Sequence, residues 1–153
     1  MATARQLEHT KTDLYEHDFL AWTEEQAQAL REKQAGRLDW GNLLEEIESM
    51  GASQKQEIRN RLRVLLMHLI KWHFQSEKHT PSWQSTIAVQ RHDIEDVLED
   101  SPSLRRLIPE MLPKAWTRAR LEASLETQLP MDNFPVECPW AIDDVLDADW
   151  WPE

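Results

Sequence analysis

Glycine is scarce in this sequence: Gly36, Gly41 and Gly51 are the only three in 153 residues. So few positions suited to left-handed backbone argue against a hairpin-rich β protein and against a glycine-built phosphate loop. Cysteine is scarcer still. Cys138 stands alone, which excludes an intramolecular disulfide and a cysteine-built zinc cage. The longest uninterrupted apolar run is Val64-Leu65-Leu66-Met67, far too short to cross a bilayer. The opening residues hold no apolar secretory segment, so a cytoplasmic protein with no membrane contact is expected.

What the chain does have is tryptophan and acid. There are eight tryptophans, and 28 Asp plus Glu against 17 Lys plus Arg give a formal charge of −11. The charge is uneven: residues 1–51 are net −6, 52–92 net +5, 93–126 net −3, and 127–153 carry seven acids and no base. The expected meaning is a basic centre packed among acidic neighbours. A nucleic-acid face made of Lys55, Arg59, Arg61 and Arg63 is the rival, disfavoured because no aromatic alternates with these cations as a stacking platform.

Apolar periodicity predicts successive helices. Asp13 and Glu16 have capping-box spacing, and Tyr15, Phe19, Trp22, Gln26 and Leu30 then recur at helical intervals up to Gly36. Asp39 caps a second predicted helix with an inner stripe of Trp40, Leu43, Leu44, Ile47 and Met50, ended by Gly51 as a left-handed terminator. A third, central helix runs from Ser53 to about Gln75, with Ile58, Leu62, Leu65, Leu69 and Trp72 in one stripe. Thr80-Pro81 opens a fourth, burying Trp83, Ile87, Ile94, Val97 and Leu98. A fifth continues from Leu104 to about Gln128, kinked or split by Pro109 and Pro113. The expected class is all-α: one domain over 1–153, a bundle of about five helices with a flexible N-terminus at 1–12. A Pro/Trp-rich C-terminal arm, 130–153, packs on that bundle. Trp22, Trp40, Trp72 and Trp83 are the expected core anchors.

Few constellations carry chemistry. No nucleophile elbow is present, and Cys138 before Pro139 reads as a small packing residue. His68 and His73 are five apart, about 140° around a helix, so one ion cannot bridge them from one face. His92 and Asp96 have chelating spacing but lie opposite the apolar stripe, as an exposed pair. Glu45, Glu46 and Glu48 point in different directions. No metal and no cofactor are expected. Arg61, flanking the core stripe, needs a counter-ion, and Glu46 or Glu48 is the expected one.

The best pocket candidate comes from folding the third and fourth helices as a hairpin about residues 78–79, which sets His68 near Gln90, Trp72 near Thr86 and Gln75 near Trp83. Arg61, His68, Trp72, Gln75, Trp83, Gln90 and Arg91 would then form a polar band with two indoles, with Glu46 as a candidate acid. The band reads either as a small-ligand pocket or as a self-satisfied network that fixes register. The tail tryptophans Trp140, Trp150 and Trp151, set among aspartates, are expected to dock on their own chain.

Several strings are familiar. Asp18-Phe19 with Trp22, the runs at 42–51 and 65–72, Ser82-Trp83 with Thr86-Ile87 and Gln90-Arg91, Ser101-Pro102-Ser103-Leu104, and the run at 134–140 resemble, in order, a bacterial family called domain of unknown function twenty-nine. The resemblance spans roughly 14–152. It implies a small all-helical bacterial domain, abundant in cyanobacteria, with no activity to carry over. His73, where members usually have Gln, and Pro109 and Pro113 depart from the pattern.

The resulting expectation is a non-enzymatic interaction or scaffold module, open to a protein partner or a second copy; the alternative is a ligand-binding or enzymatic domain around His68 and Trp72. If the polar band is structural, His68→Ala lowers the melting temperature markedly. An unchanged melting temperature moves weight to the ligand reading.

Overall fold

The computed structural model describes residues 14–153; the expected flexible segment 1–12 and the cap at Asp13 lie outside the described residues. Five helices follow in order: α1 (Phe19–Arg31), α2 (Trp40–Phe74), α3 (Pro81–Asp100), α4 (Ile108–Thr127) and α5 (Ile142–Leu146). A further helical turn occupies residues 14–17, and short 3-10 turns stand at Ala35–Arg37, Ser76–Lys78, Pro102–Leu107 and Met131–Asn133. No strand occurs among the described residues. The protein is all-α. It divides into two compact units, 1–52 and 53–153.

Gly51 does not end a helix. The expected second and third helices are replaced by one 35-residue helix, α2. Splitting it would leave about four amides and four carbonyls unbonded at the new ends and would require a second nucleation. A mid-helix glycine costs only about 1 kcal/mol. Left-handed backbone falls instead on Lys33 and Gln128, with φ of 54° and 58°. Gly36, expected to stop the first helix, sits in a 3-10 turn beyond an α1 that already ends at Arg31.

The first unit is held by one hub. Asp39 accepts from the Trp22 indole at 3.0 Å and from the Asn42 amide at 2.8 Å, while its own N–H donates to buried Gln26 at 2.7 Å. Tyr15, Phe19 and Trp22 form a ring ladder with centroids 4.8–5.8 Å apart, and the Tyr15 hydroxyl donates to Glu46. Trp22, Ala29 and Leu38 are the buried apolar residues there. Trp40 is not a core anchor: it is 65% exposed, as are Leu44, Ile47 and Met50 at 58%, 66% and 69%. The reason is angular. The side of α2 engaged within this unit carries Asp39, Asn42 and Glu46, while Trp40, Leu44 and Ile47 lie about 100° or more away.

The second unit contains the large core. Ile58, Leu62, Leu65, Leu66, Leu69 and Ile70 of α2 are buried with Ile87, Ile94 and Leu98 of α3. From α4 come Trp116 and a seam of small residues, Ala115, Ala119 and Ala123. Trp116, the less obvious tryptophan in sequence, is 1% exposed, whereas Trp72 and Trp83 are half-buried. Thr80 accepts from the Trp83 N–H at 3.2 Å as the N-cap of α3, with Pro81 in the first turn. The proline-divided fifth helix is a 3-10 segment followed by α4. Pro109 falls in the first turn of α4, where no donor is needed, and Pro113 lies inside the helix.

The arm packs on this core. Phe134 is 2% and Val145 0% exposed. Trp116 Nε1 donates to the Pro135 carbonyl at 3.0 Å, and Arg120 donates to the carbonyls of Phe134 and Met131 at 3.1 and 2.8 Å. Cys138 is half-buried against the core, as a packing residue should be, and burial pushes its thiol pKa up.

Gly51→Ala raises stability by about 1 kcal/mol, because a methyl there removes the helix penalty of glycine and meets nothing within 4 Å. Urea denaturation followed by helical circular dichroism measures it. A loss of stability contradicts a continuous α2.

Candidate functional site

Most of the sequence-predicted site residues lie along the α2–α3 hairpin, one helical turn out of the expected register. Arg61 Nη1 pairs with Asp93 at 2.8 Å, and the Lys71 ammonium lies 4.7 Å from the Trp83 ring centroid. Both pairs centre on residue 77 rather than 78–79, because the 3-10 turn at Ser76–Lys78 brings the chain round early. Arg61 is also bonded to Glu57 at 3.0 Å. Its expected partners are therefore wrong: Glu57 and Asp93 neutralise it, and Glu46 instead takes the Tyr15 proton donor. That contact pushes the Tyr15 pKa up to about 12, through the hydrogen bond first and then through burial.

His68 is half-buried and its Nδ1 stands 2.9 Å from the Val64 carbonyl. Since a carbonyl only accepts, Nδ1 carries the proton. Burial lowers the His68 pKa below the ordinary histidine value, and the Val64 contact partly opposes that. Trp72 is covered by rings, His79 at 3.6 Å and Trp151 at 4.5 Å between centroids. Lys71, 9% exposed, reaches Glu126 at 2.7 Å. Arg91, 5% exposed, donates through Nε to the Val145 carbonyl at 2.9 Å, with its guanidinium 5.5 Å from the Trp151 ring centroid. Its two Nη atoms and the Oε1 of Gln90 are buried without a hydrogen-bond partner. Gln75 is half-buried beside the Ser76–Lys78 turn and donates its N–H to the Lys71 carbonyl at 2.9 Å. The arm thus lies over Trp72 and Arg91 of the predicted band.

Two clefts flank residues 53–64 of α2. One, of about 500 Å³, is lined by Arg61, Val64 and Gln90. The other, of about 490 Å³, lies between α2 and α4 and gathers Lys55, Arg59 and Arg63 from α2 with Lys114 and Arg118 from α4. Leu107, Met111 and Ala115 supply its apolar part, and Glu110 is its one lining carboxylate. Arg63 is paired with Glu122 outside the lining. Lys55, Lys114 and Arg118 have no ion-pair partner among the described residues, and Arg59 has only the amide of Gln56 at 3.4 Å.

This basic groove is the candidate site. Of the expected nucleic-acid cations it contains Lys55, Arg59 and Arg63, while Arg61 faces away, held by Glu57 and Asp93. Lys114 and Arg118 were not anticipated. The visible signal was spacing, with cations at i, i+4 and i+8 in α2 and at i and i+4 in α4. Nothing local showed that two segments more than 50 residues apart share a wall.

His92, Asp93 and Asp96 form a cluster with ligand atoms within 4.8 Å of one another. His92 is 3.3 Å from Asp96, both exposed as expected, and the Asp93 carboxylate already serves Arg61.

The model of the family described as "Domain of unknown function DUF29" matches residues 14–151, so the chain belongs to that family. No curated protein and no solved structure matches it.

Because the folded chain binds the His68 proton less readily than the unfolded chain, the stabilising contribution of His68 is full above its ordinary pKa of 6.5 and is lost as pH falls below it. The denaturation midpoint therefore drops between about pH 7.5 and pH 5.5, and the drop is shallower in His68→Gln. Equal pH profiles for the two chains contradict this assignment.

Proposed function

We propose that this DUF29 chain is a non-enzymatic interaction module. It docks through the amino-terminal part of α2 onto a partner helix that carries an apolar stripe flanked by lysine or arginine. The observation that carries the reading is the uncovered stripe of Trp40, Leu44, Ile47 and Met50, each more than half exposed. At about 100° per residue these four fall within a band about 120° wide, the width of a helix-docking face. Full burial of such side chains contributes about 1.5–3 kcal/mol apiece.

The first unit needs this contact. Among its described residues it buries Trp22, Ala29 and Leu38 while exposing seven large hydrophobics, Phe19, Leu20 and Leu30 in addition to those four. A unit of 52 residues is in the size range where a single core is marginal by itself. Charge selects the occupant. Glu46 and Glu48 flank the stripe on its two sides, and residues 38–54 contain no lysine or arginine. A second copy on this face would set carboxylates against carboxylates, whereas a basic amphipathic helix meets them. The same reading takes the protein as cytoplasmic and bacterial; no helix among the described residues is long and apolar enough to cross a membrane.

Calorimetry with two synthetic helical peptides tests it, one built of Leu and Lys and one of Leu and Glu. The Leu/Lys peptide binds, the Leu/Glu peptide does not, and Ile47→Asp weakens binding at least tenfold without altering helicity. Equal binding by Ile47→Asp overturns the proposal. So does concentration-dependent self-association abolished by Ile47→Asp, which gives the face to a second copy.

A further inference from the structure

The acidic balance of the chain makes the groove between α2 and α4 anomalous. Within a molecule of net charge −11, Lys55, Arg59, Lys114 and Arg118 converge on one cleft with a single lining carboxylate, Glu110. Arg63 is already neutralised by Glu122. The cleft therefore carries about three uncompensated positive charges. Like-charge crowding of this kind costs stability and is relieved by a counter-ion.

We propose that this groove binds a small soluble organic bisphosphate. The chemistry follows from the walls. Four residues of helix rise about 6 Å, so Lys55 and Arg59 on one wall and Lys114 and Arg118 on the other form two rungs about that far apart. The ion pairs Arg63–Glu122 and Lys71–Glu126 set α2 and α4 parallel, so one rung pairs Lys55 with Lys114 as point charges and the other pairs Arg59 with Arg118, whose forks each take two oxygens of one phosphate. A phosphate monoester carries about −1.5 to −2 at neutral pH, so two of them match the groove's charge and a dicarboxylate falls short. Leu107, Met111 and Ala115 line an apolar part on which a carbon skeleton rests. The volume, about 490 Å³, lies within the range of small-molecule sites.

Other anions fit less well. No aromatic side chain lines the cleft, so there is no platform for a nucleobase, and single-stranded nucleic acid is disfavoured. The cations sit within their helices, Lys55 and Arg59 in α2 and Lys114 and Arg118 beyond the first turn of α4, so side chains grip the anion.

Calorimetric titrations of the full chain at about 0.1 M salt decide the matter. The probes are a hexose bisphosphate, the matching monophosphate, citrate, vesicles containing a phosphoinositide bisphosphate, and a single-stranded oligonucleotide. The hexose bisphosphate binds at least tenfold tighter than the monophosphate or citrate. Arg59→Gln combined with Arg118→Gln weakens it by about tenfold or more with no loss of melting temperature, and Lys78→Gln, an exposed cation outside the groove, has no effect. A flat bisphosphate titration overturns the proposal, as does equal affinity in the double variant. Tighter binding of the oligonucleotide overturns it in favour of nucleic acid, and binding to vesicles but not to the soluble bisphosphate overturns it in favour of a lipid headgroup.

Discussion

The second unit depends on how a proline-rich segment satisfies its carbonyls once it is buried. The arm from Pro130 to Pro152 cannot build a long helix, and its prolines have no N–H to offer. Its carbonyls still need donors when the segment covers the core. Trp116, Arg120 and Arg91 supply them, meeting the carbonyls of Pro135, Phe134, Met131 and Val145 at 2.8–3.1 Å. With these contacts in place, Phe134 and Val145 enter the core and Trp151 lies against Trp72. Of the candidate site residues, Arg91 and Trp72 are therefore occupied in holding the arm.

The polar band around His68 and Trp72 lies along a hairpin with ring contacts over it, whereas Lys55, Arg59, Lys114 and Arg118, which have no ion-pair partner among the described residues, collect between α2 and α4. The two proposed surfaces differ in kind. One is apolar and rimmed by acid on the amino-terminal part of α2, and the other is basic with an apolar part further along the same helix. α2 thus changes character near Ala52, from acid with exposed hydrophobics to base with a buried stripe.

Much of the architecture was legible. The stops at Thr80-Pro81 and Ser101-Pro102 are where α3 begins and ends, because caps and prolines act on the residues beside them. The stripe Ile58, Leu62, Leu65, Leu69 is buried because its period is that of the helix. Gly51 misled because a glycine ends a helix only when the following chain turns away, and Ala52-Ser53-Gln54-Lys55 continues in helix-compatible residues. Trp40 misled because amphipathic periodicity locates an apolar face without saying whether anything covers it.

By itself, then, the sequence determined that this protein is all-α, where most of its helices end, and which faces of them are apolar or charged. These follow from interactions within a few residues. The tertiary structure decided the hairpin register, the counter-ions of Arg61, the burial of Trp116, and the meeting of Lys55 and Arg59 with Lys114 and Arg118. Such pairings join segments tens of residues apart. They are set by how side chains fill space between helices, which no local periodicity encodes.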